Sequence, residues 1–583
     1  MPKFTDSEKI VEYLVEGGFS VSEVTGEFVT VELDIGGASV HIQGRYRDDF
    51  PASVPMFYLL NRSSYGRLAH VGWRNKFEDV SGDIGLICNG VTISRSVNFD
   101  SPEQVFQYGL EAAISTISEC LLSDEKNTEQ ILSEFSGHWA FSCGQRTGAD
   151  IAIIDTDEKI LPLRVYGTSG GRRLYCMPDM PINDHYPLPM GRSGKGVDHK
   201  GLYIPLSCPI FPPSVAENLY SWWKSEVLTS LDQVIIDQIR EYLHKSTHKA
   251  KKFSVVLSVP TQVDGEFSWV GIDFSNHVKS VPPLLAASVQ GEWKLTPFDI
   301  QLHNREYLLP RGGVADDISL DSLLVIGCGS VGGEILRLLG HAGIGRLDLM
   351  DYDRLSTDNI YRHILPSNYI GDKKTAGLAK ELEYKFPYLD VEVYDNHPNL
   401  HSLANDPNLG KILSRYDGVI VATGDATHER FFNNKLMEIE RRPWVIYSWL
   451  EGYGVGGHMV YVHPNSSGCL SCLYRDPINN EPSLKNIQNF MSIDQSFAKD
   501  ISGCGTHYLP FSYVDVVQTA ILAARTAGDA LSGRLNSSRR DSWKGNSRNA
   551  DEAGLELTRR FRSFSANGPI ELKWDDCPVC GDL

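Results

Sequence analysis

Two cysteine pairs, Cys469-Leu470-Ser471-Cys472 and Cys577-Pro578-Val579-Cys580, lie far apart in the chain. Each pair can bite one metal, and four thiolates close a tetrahedral shell with no open position, so the spacing predicts a structural Zn2+ site. A different thiol, Cys504, sits between glycines in Ile501-Ser502-Gly503-Cys504-Gly505-Thr506-His507. A helix is expected over 512–531, and a thiol near a helix start is biased toward thiolate, the form that captures an activated acyl group. Cys88, in SGDIGLICNG, is the second candidate nucleophile. Cys120 falls on the apolar face of ISTISECLL and reads as core, whereas Cys143, Cys176 and Cys208 carry no context. A nucleotide signal completes the chemistry. Leu323-Leu324-Val325-Ile326 reads as a strand, Gly327-Cys328-Gly329-Ser330-Val331-Gly332 follows, and an apolar helix runs on from Gly333. Those glycines permit a tight turn and let N–H groups at a helix start face a phosphate. Asp351, 24 residues beyond Gly327, suits a ribose hydroxyl, and Cys328 is expected to point its small side chain away from the ligand. On this pattern alone the nucleotide is NAD or ATP.

These residues need elements to hold them. Residues 7–16 have the spacing of a short amphipathic helix, and 19–60 alternate as strands with hairpin signals at Thr25-Gly26 and Gly36-Gly37. Ser101-Pro102-Glu103-Gln104 opens an apolar helix to about Leu122, so a small α+β domain is expected over 1–125. Residues 126–300 mix a helix with strand-like runs such as KKFSVVLSV and FSWVGIDF, and show no motif with a function. From 301 to 583, SLLVIG, RLDLMDYD, VEVYDN, DGVIVATGD and WVIYSW alternate with helical patterns, which predicts a doubly wound, mostly parallel α/β sheet. The polar, basic stretch 533–567 reads as a loop.

The 583 residues are too many for one core, and 42% apolar residues suffice for several. A formal charge of −19 without a basic stripe argues against nucleic acid and anionic membrane as partners. The start lacks the pattern of a signal peptide, and no apolar run approaches the roughly 18 residues that span a bilayer. A cytoplasmic location is expected, where eleven cysteines serve as thiols, ligands or core rather than disulfides.

The stretch DYDRLSTDNIYRHILPSNYIGDKKTAGLA, residues 351–379, resembles the ThiF/MoeB and ubiquitin-activating adenylating family, which carries Asp-x-Asp, then Asn-x-x-Arg, then Gly-x-x-Lys. The resemblance implies ATP rather than NAD. It gives Asp351 the ribose, sets Asn359, Arg362 and Lys374 around the triphosphate, and gives Asp425 of ATGDA the Mg2+-linked position. Adenylation of a carboxylate needs cations on the phosphates as pyrophosphate leaves, and hydride transfer does not. Ser330 and His363 depart from the family's usual glycine and glutamine. HNREYLLPRGG, residues 303–313, resembles the segment whose arginine enters a neighbouring protomer's site, implying a homodimer with Arg305 acting in trans. The two CxxC pairs match the family's structural zinc, and Cys504 matches the thioester-forming cysteine of its Cys-Gly-Thr segment.

Helix, meander, cysteine loop and helix in residues 1–125 resemble a ubiquitin-conjugating domain, with GRYRDDFPASVPMFYLLN at the proline-rich strand and His70 at that family's histidine. Val71-Gly72 replaces its Pro-Asn, so the oxyanion asparagine is missing or supplied by Asn89. Together the chain resembles the fused activating-and-conjugating enzymes of bacterial CBASS antiphage operons. That implies adenylation of a protein's C-terminal carboxylate, thioesters on Cys504 and then Cys88, and delivery to an amine. The implied partner is a cyclic-nucleotide synthase with a C-terminal glycine, or a ubiquitin-like protein. A sulfur-carrier adenylyltransferase would explain 301–583 and leave Cys88 idle. A nucleotide-binding scaffold without turnover is the third possibility.

Overall fold

The computed structural model describes residues 7–581 except 73–81, 89–96, 144–148, 155–158, 168–171, 178–197, 215–217, 246–248, 264, 287–292, 315–317, 319–320, 387, 477, 498, 501–506 and 567. Two compact units divide them, one ending at Asn304 and the other beginning at Arg305.

In the first unit, the helix Ser7–Glu16 precedes an antiparallel meander of β1 (Ser20–Val24), β2 (Phe28–Ile35), β3 (Ala38–Arg45), β4 (Met56–Leu60) and β5 (Ile84–Leu86). Gly36 and Gly37 turn the β2–β3 hairpin at φ 65° and 87°, a conformation that costs glycine little. The inner faces of the sheet pack Val29, Val31, Ile42 and Phe57 against Phe106, Leu110 and Ile117 of the helix Pro102–Leu122. Ser101 stands at its N-cap without a side-chain bond, so the expected capping box does not form. The module does not stop at residue 125. Ser123 caps a further helix, Asp124–Ser133, by accepting from Lys126 N–H, and Ile131 joins the same core.

The unread middle region is a closed seven-stranded barrel: β6 (Asp150–Ile153), β7 (Leu161–Gly167), β8 (Arg173–Cys176), β9 (His199–Pro205), β10 (Ala250–Pro260), β11 (Phe267–Ser280) and β12 (Lys294–Leu302). They run in the order β10-β11-β12-β6-β8-β7-β9, with β9 closing on β10. Closure removes the exposed edges an open sheet would leave. Phe135, Trp139, Trp222 and Trp223 pack on barrel residues such as Leu202, Val255 and Phe274. Since β12 reaches Leu302, the barrel includes the first residues expected of the α/β domain.

The second unit contains an eight-stranded sheet. Its parallel part runs β15 (Asp390–Val393), β14 (Arg346–Met350), β13 (Ser322–Ile326), β16 (Gly418–Val421) and β17 (Trp444–Glu451), with β18 (Gly456–Val462) antiparallel at its side. The order reverses between β13 and β16, which opens a crevice at their carboxyl ends, the place where such sheets bind ligands. Residues 533–567 are not a simple loop: Arg539–Lys544 adds a strand to β18, and Phe561 packs on Phe490. Basic side chains there lie along aromatic faces, Arg560 over Phe490 and Lys544 over Phe561, so the polarity of the segment hides its packing. Among the described residues no helix is long and apolar enough to cross a membrane.

Candidate functional site

The crevice holds a cavity of about 430 Å³ lined by Gly327, Gly329, Asp351, Lys374 and Asp425, among others. Each comes from a strand end or a helix start. Gly327 follows β13 at φ 89°, and a Cβ there would meet the backbone of Ala422 and Thr423 at 2.7–2.8 Å. Gly329 caps the helix Ser330–His341 and has open space where its Cβ would be. Gly332 does not line the cavity. Its Cβ would come within 1.8 Å of Gly327 O, so it is the residue that lets the helix approach the strand. Cys328 is fully buried, with Sγ toward Met350 O, as its small side chain suggested.

Asp351 follows β14 and accepts from Cys328 N–H at 2.6 Å and Asp353 N–H at 2.8 Å, which fixes the carboxylate at the cavity wall. Lys374, only 7% exposed, starts the helix Lys374–Lys385 and pairs with Asp353 at 2.8 Å. Asp425 caps the helix Ala426–Met437, accepting from Thr427 N–H and His428 N–H, and meets His428 Nδ1 at 2.6 Å. Burial pushes its carboxyl up, but the backbone N–H and imidazole of His428 outweigh this and hold it below the usual carboxylate range.

Two expected members stand elsewhere. Asn359 accepts from Ser356 N–H within a local capping box, and Arg362 lies over the Phe511 ring at 5.4 Å. Neither lines the cavity. Arg305 donates to Tyr388 O and Gly343 O of its own chain, bonds that a reach into a neighbouring protomer would have to release. Cys504 lies outside the described residues, as does Asn89.

Two contributors, His428 and Glu429, escaped the sequence reading, and a third, His363, stood there only as a departure from the family pattern. His363 accepts from Leu365 N–H through Nδ1, so its Nε2 donates to Cys328 O at 2.9 Å and braces the glycine loop. His428 and Glu429 follow Asp425 on the same helix. Glu429 is buried and accepts from Thr423 Oγ1 at 2.7 Å and Gly424 N–H at 3.1 Å, holding the turn that presents Asp425. Burial pushes its carboxyl up to about 7. A helical i+3, i+4 spacing from Asp425 could have flagged both.

Cys469, Cys472, Cys577 and Cys580 converge, all buried, with their sulfurs within 4.8 Å of one another. The Cys469–Cys577 and Cys472–Cys580 separations are 4.0 and 3.4 Å. Sulfurs at about 2.3 Å from one ion are about 3.8 Å apart, so the four fit a closed Zn2+ shell.

In the first unit, Cys88 is exposed and follows β5. Its N–H donates to His70 O at 2.7 Å, beside a Val71–Ile87 bridge. His70 has φ 57° and is held by one carboxylate, donating its N–H to Glu134 Oε2 at 3.1 Å, with Nδ1 2.6 Å from Glu134 Oε1. Asn127 accepts from Ala69 N–H and donates to Arg67 O. Asn127 and Glu134, seven residues apart, thus brace the segment 67–70 from the start and the end of one helical stretch.

The model of the ThiF family matches residues 304–553. The adenylyltransferase and sulfurtransferase MOCS3 of Xenopus laevis is 31% identical over 186 residues, 31% of this chain and 39% of that protein. Its counterpart from Danio rerio is 29% identical over 182 residues, 31% of this chain and 38% of that protein. The chain thus spans about two fifths of the length of the curated relatives it matches. The crystal structure of E. coli MccB with succinimide matches with a TM-score of 0.32 at 18% identity, covering 48% of this chain and 75% of that one. The matched stretch is of ThiF type and contains the whole cavity described above.

Proposed function

We propose that the second unit adenylates the C-terminal carboxylate of a protein substrate, and that Cys504 and Cys88 relay the acyl group to an amine. The observation that carries the reading is the convergence of Gly327, Gly329, Asp351, Lys374 and Asp425 on one cavity at the switch point of the sheet. The substrate carboxylate attacks the α-phosphorus of ATP, and pyrophosphate leaves. Lys374 lies beside the departing charge, the glycine-loop N–H groups face the phosphates, and Asp351 takes the ribose. Mg2+ held at Asp425 would supply further positive charge to the phosphates. Cys504 thiolate then attacks the acyl carbon and AMP leaves; Cys88 thiolate attacks in turn and frees Cys504; an amine attacks last and frees Cys88. In this reading residues 1–134 are the conjugating module and the zinc is structural. Asn359 and Arg362 act only if their loop turns toward the triphosphate, and a homodimer is not required. The substrate carries a C-terminal glycine, as a cyclic-nucleotide synthase of an antiphage operon or a ubiquitin-like protein would.

A second reading, activation of a sulfur-carrier protein, is favoured by the name of the MOCS3 relatives and assigns Cys88 no task. One experiment separates them. Substrate-dependent exchange of labelled pyrophosphate into ATP should fall at least 100-fold in Lys374→Ala under either reading. A reductant-sensitive adduct should form on Cys504 and then Cys88, and Cys88→Ala should keep the first adduct and lose the amide product. Full amide product from Cys88→Ala would leave the sulfur-carrier or direct-transfer reading in place.

A further inference from the structure

The barrel contains a basic cavity that the adenylation chemistry does not use. It measures about 330 Å³ and is lined by Lys200, Lys249, Lys251, Lys252 and Lys279, with Asp198 and His199. It lies where the β10–β11 ladder breaks. Ala250 pairs with Ser280 while Lys252 pairs with Ser275, so residues 276–279 stand opposite Lys251 alone and bulge from the barrel. The bulge brings Lys279 to the same cavity as lysines of β9 and β10.

Its charge balance is unusual. Among the described residues, five ammonium groups face one lining carboxylate, Asp198, whose approach to Lys252 is 3.8 Å, in a chain whose formal charge is −19. The floor is fixed. The His199 side chain is 6% exposed and meets Asp198 Oδ2 at 2.9 Å and Ser254 Oγ at 2.6 Å. Ser254 in turn donates to Asp273 Oδ1 at 2.6 Å, and Asp273 pairs with the buried Arg173, which also holds Asp150. Asp150 and Asp273 are committed to Arg173 inside the barrel and lie outside the cavity lining, which leaves Asp198 as the carboxylate facing the lysines among the described residues.

We infer that this cavity binds a compact, phosphate-bearing anion. Clustered ammonium groups repel one another, and a multiply charged ligand relieves that repulsion while each lysine acts as a point-charge donor. The volume lies within the roughly 300–1,000 Å³ usual for small-molecule sites, and the lysines ring a concavity instead of forming the stripe a nucleic acid follows. Among the described residues the one lining aromatic side chain, Phe253, is 1% exposed and offers no face for a base, so recognition is of phosphate groups.

Isothermal titration of the full chain with tripolyphosphate tests this. The nucleotide cavity is a competing phosphate site, so the comparison is made in Lys374→Ala. That chain should retain one tripolyphosphate site per protomer, and adding Lys251→Gln and Lys279→Gln should weaken it at least tenfold, with an unchanged melting temperature. Both lysines are exposed, and glutamine removes the charge while remaining polar. The site should also weaken steeply with salt. No binding to Lys374→Ala, or equal binding with the two glutamines, would overturn the inference. So would a glutamate-rich peptide that binds these lysines and is not displaced by tripolyphosphate, since the site would then recognise an acidic protein segment.

Discussion

The four-cysteine cluster and the Cys88 site use the same element in opposite ways. Cys469, Cys472, Cys577 and Cys580 are each at most 4% exposed, with their sulfurs gathered together; Cys88 is exposed, and its backbone N–H bonds to His70 O. Four buried sulfurs held this close together suit a shared cation, whereas an exposed thiol is open to a reaction partner. Burial separates the cysteines of the cluster from the one proposed to carry an acyl group.

The largest expected effect follows from that contrast. Metal analysis should find about one zinc per chain, and Cys577→Ser should cost about 5 kcal/mol or more, enough to unfold the C-terminal part of the second unit. Cys88→Ser should change stability by about 0.5 kcal/mol at most, because the exposed Sγ supports no core. Thermal melts of the two variants check both. Equal stability would mean that the cluster holds no metal.

The two glycine roles in the nucleotide loop give the next effect. Gly332→Ala puts a methyl group 1.8 Å from Gly327 O and should cost about 2–3 kcal/mol, with ATP binding lost as helix and strand separate. Gly329→Ala meets nothing within 4 Å at a φ of −76°, so it should fold normally and impair binding only by intruding on the cavity. Melting temperature and ATP titration distinguish them.

Legibility in the sequence followed the distance over which each site is assembled. Gly327 and Asp351 were readable because each lies just past a strand of obvious pattern, Asp425 was named only through the family resemblance, and the sheet order places those strand ends together. Asn359 and Arg362 show how far spacing goes: their types fit a triphosphate, yet Asn359 is engaged locally by Ser356 and Arg362 lies over the sequence-distant Phe511. Glu134 was invisible because it meets His70 from 64 residues away, across a boundary expected near 125. The barrel was unreadable for a related reason. Its closure joins β6 to β12 and β9 to β10 as parallel neighbours, pairings that no hairpin signal announces.

Glu429 supplies a pH-dependent test of the nucleotide turn. Its carboxyl is raised from 4.5 to about 7 by burial, so the folded protein binds this proton more tightly than the unfolded chain. Its stabilisation is therefore complete below about pH 4.5 and is lost as pH rises through about 7. Glu429→Gln, which keeps an acceptor for Thr423 Oγ1 and Gly424 N–H without ever ionising, should flatten this part of the stability profile. An effect on the order of 2–3 kcal/mol between pH 5 and 8 is expected from the shift. An unchanged profile would show that the carboxyl is solvated when it ionises.

The smallest effect belongs to the Glu134–His70 pair, because both side chains keep partial access to water, 34% and 24% exposed. Bonding to Glu134 raises His70 above its ordinary 6.5. Burial opposes ionisation of Glu134, but its bonds to His70 bring it below its ordinary 4.5. The histidine contribution is fully present below 6.5 and lost as pH rises through the raised value; the glutamate contribution is present above 4.5 and lost as pH falls through the lowered one. The pair therefore stabilises most between those limits, by about 1 kcal/mol after screening. Glu134→Gln should lose that amount near pH 6 and little above the His70 titration, whose midpoint, followed by NMR of the ring, should fall back toward 6.5. The functional consequence is directional. His70 O holds Cys88 N–H, so loosening His70 should slow amide formation from Cys88 while leaving pyrophosphate exchange in the second unit untouched. Slowing of both by the same factor would mean that the variant damages folding and that Glu134 has no specific part in placing the thiol.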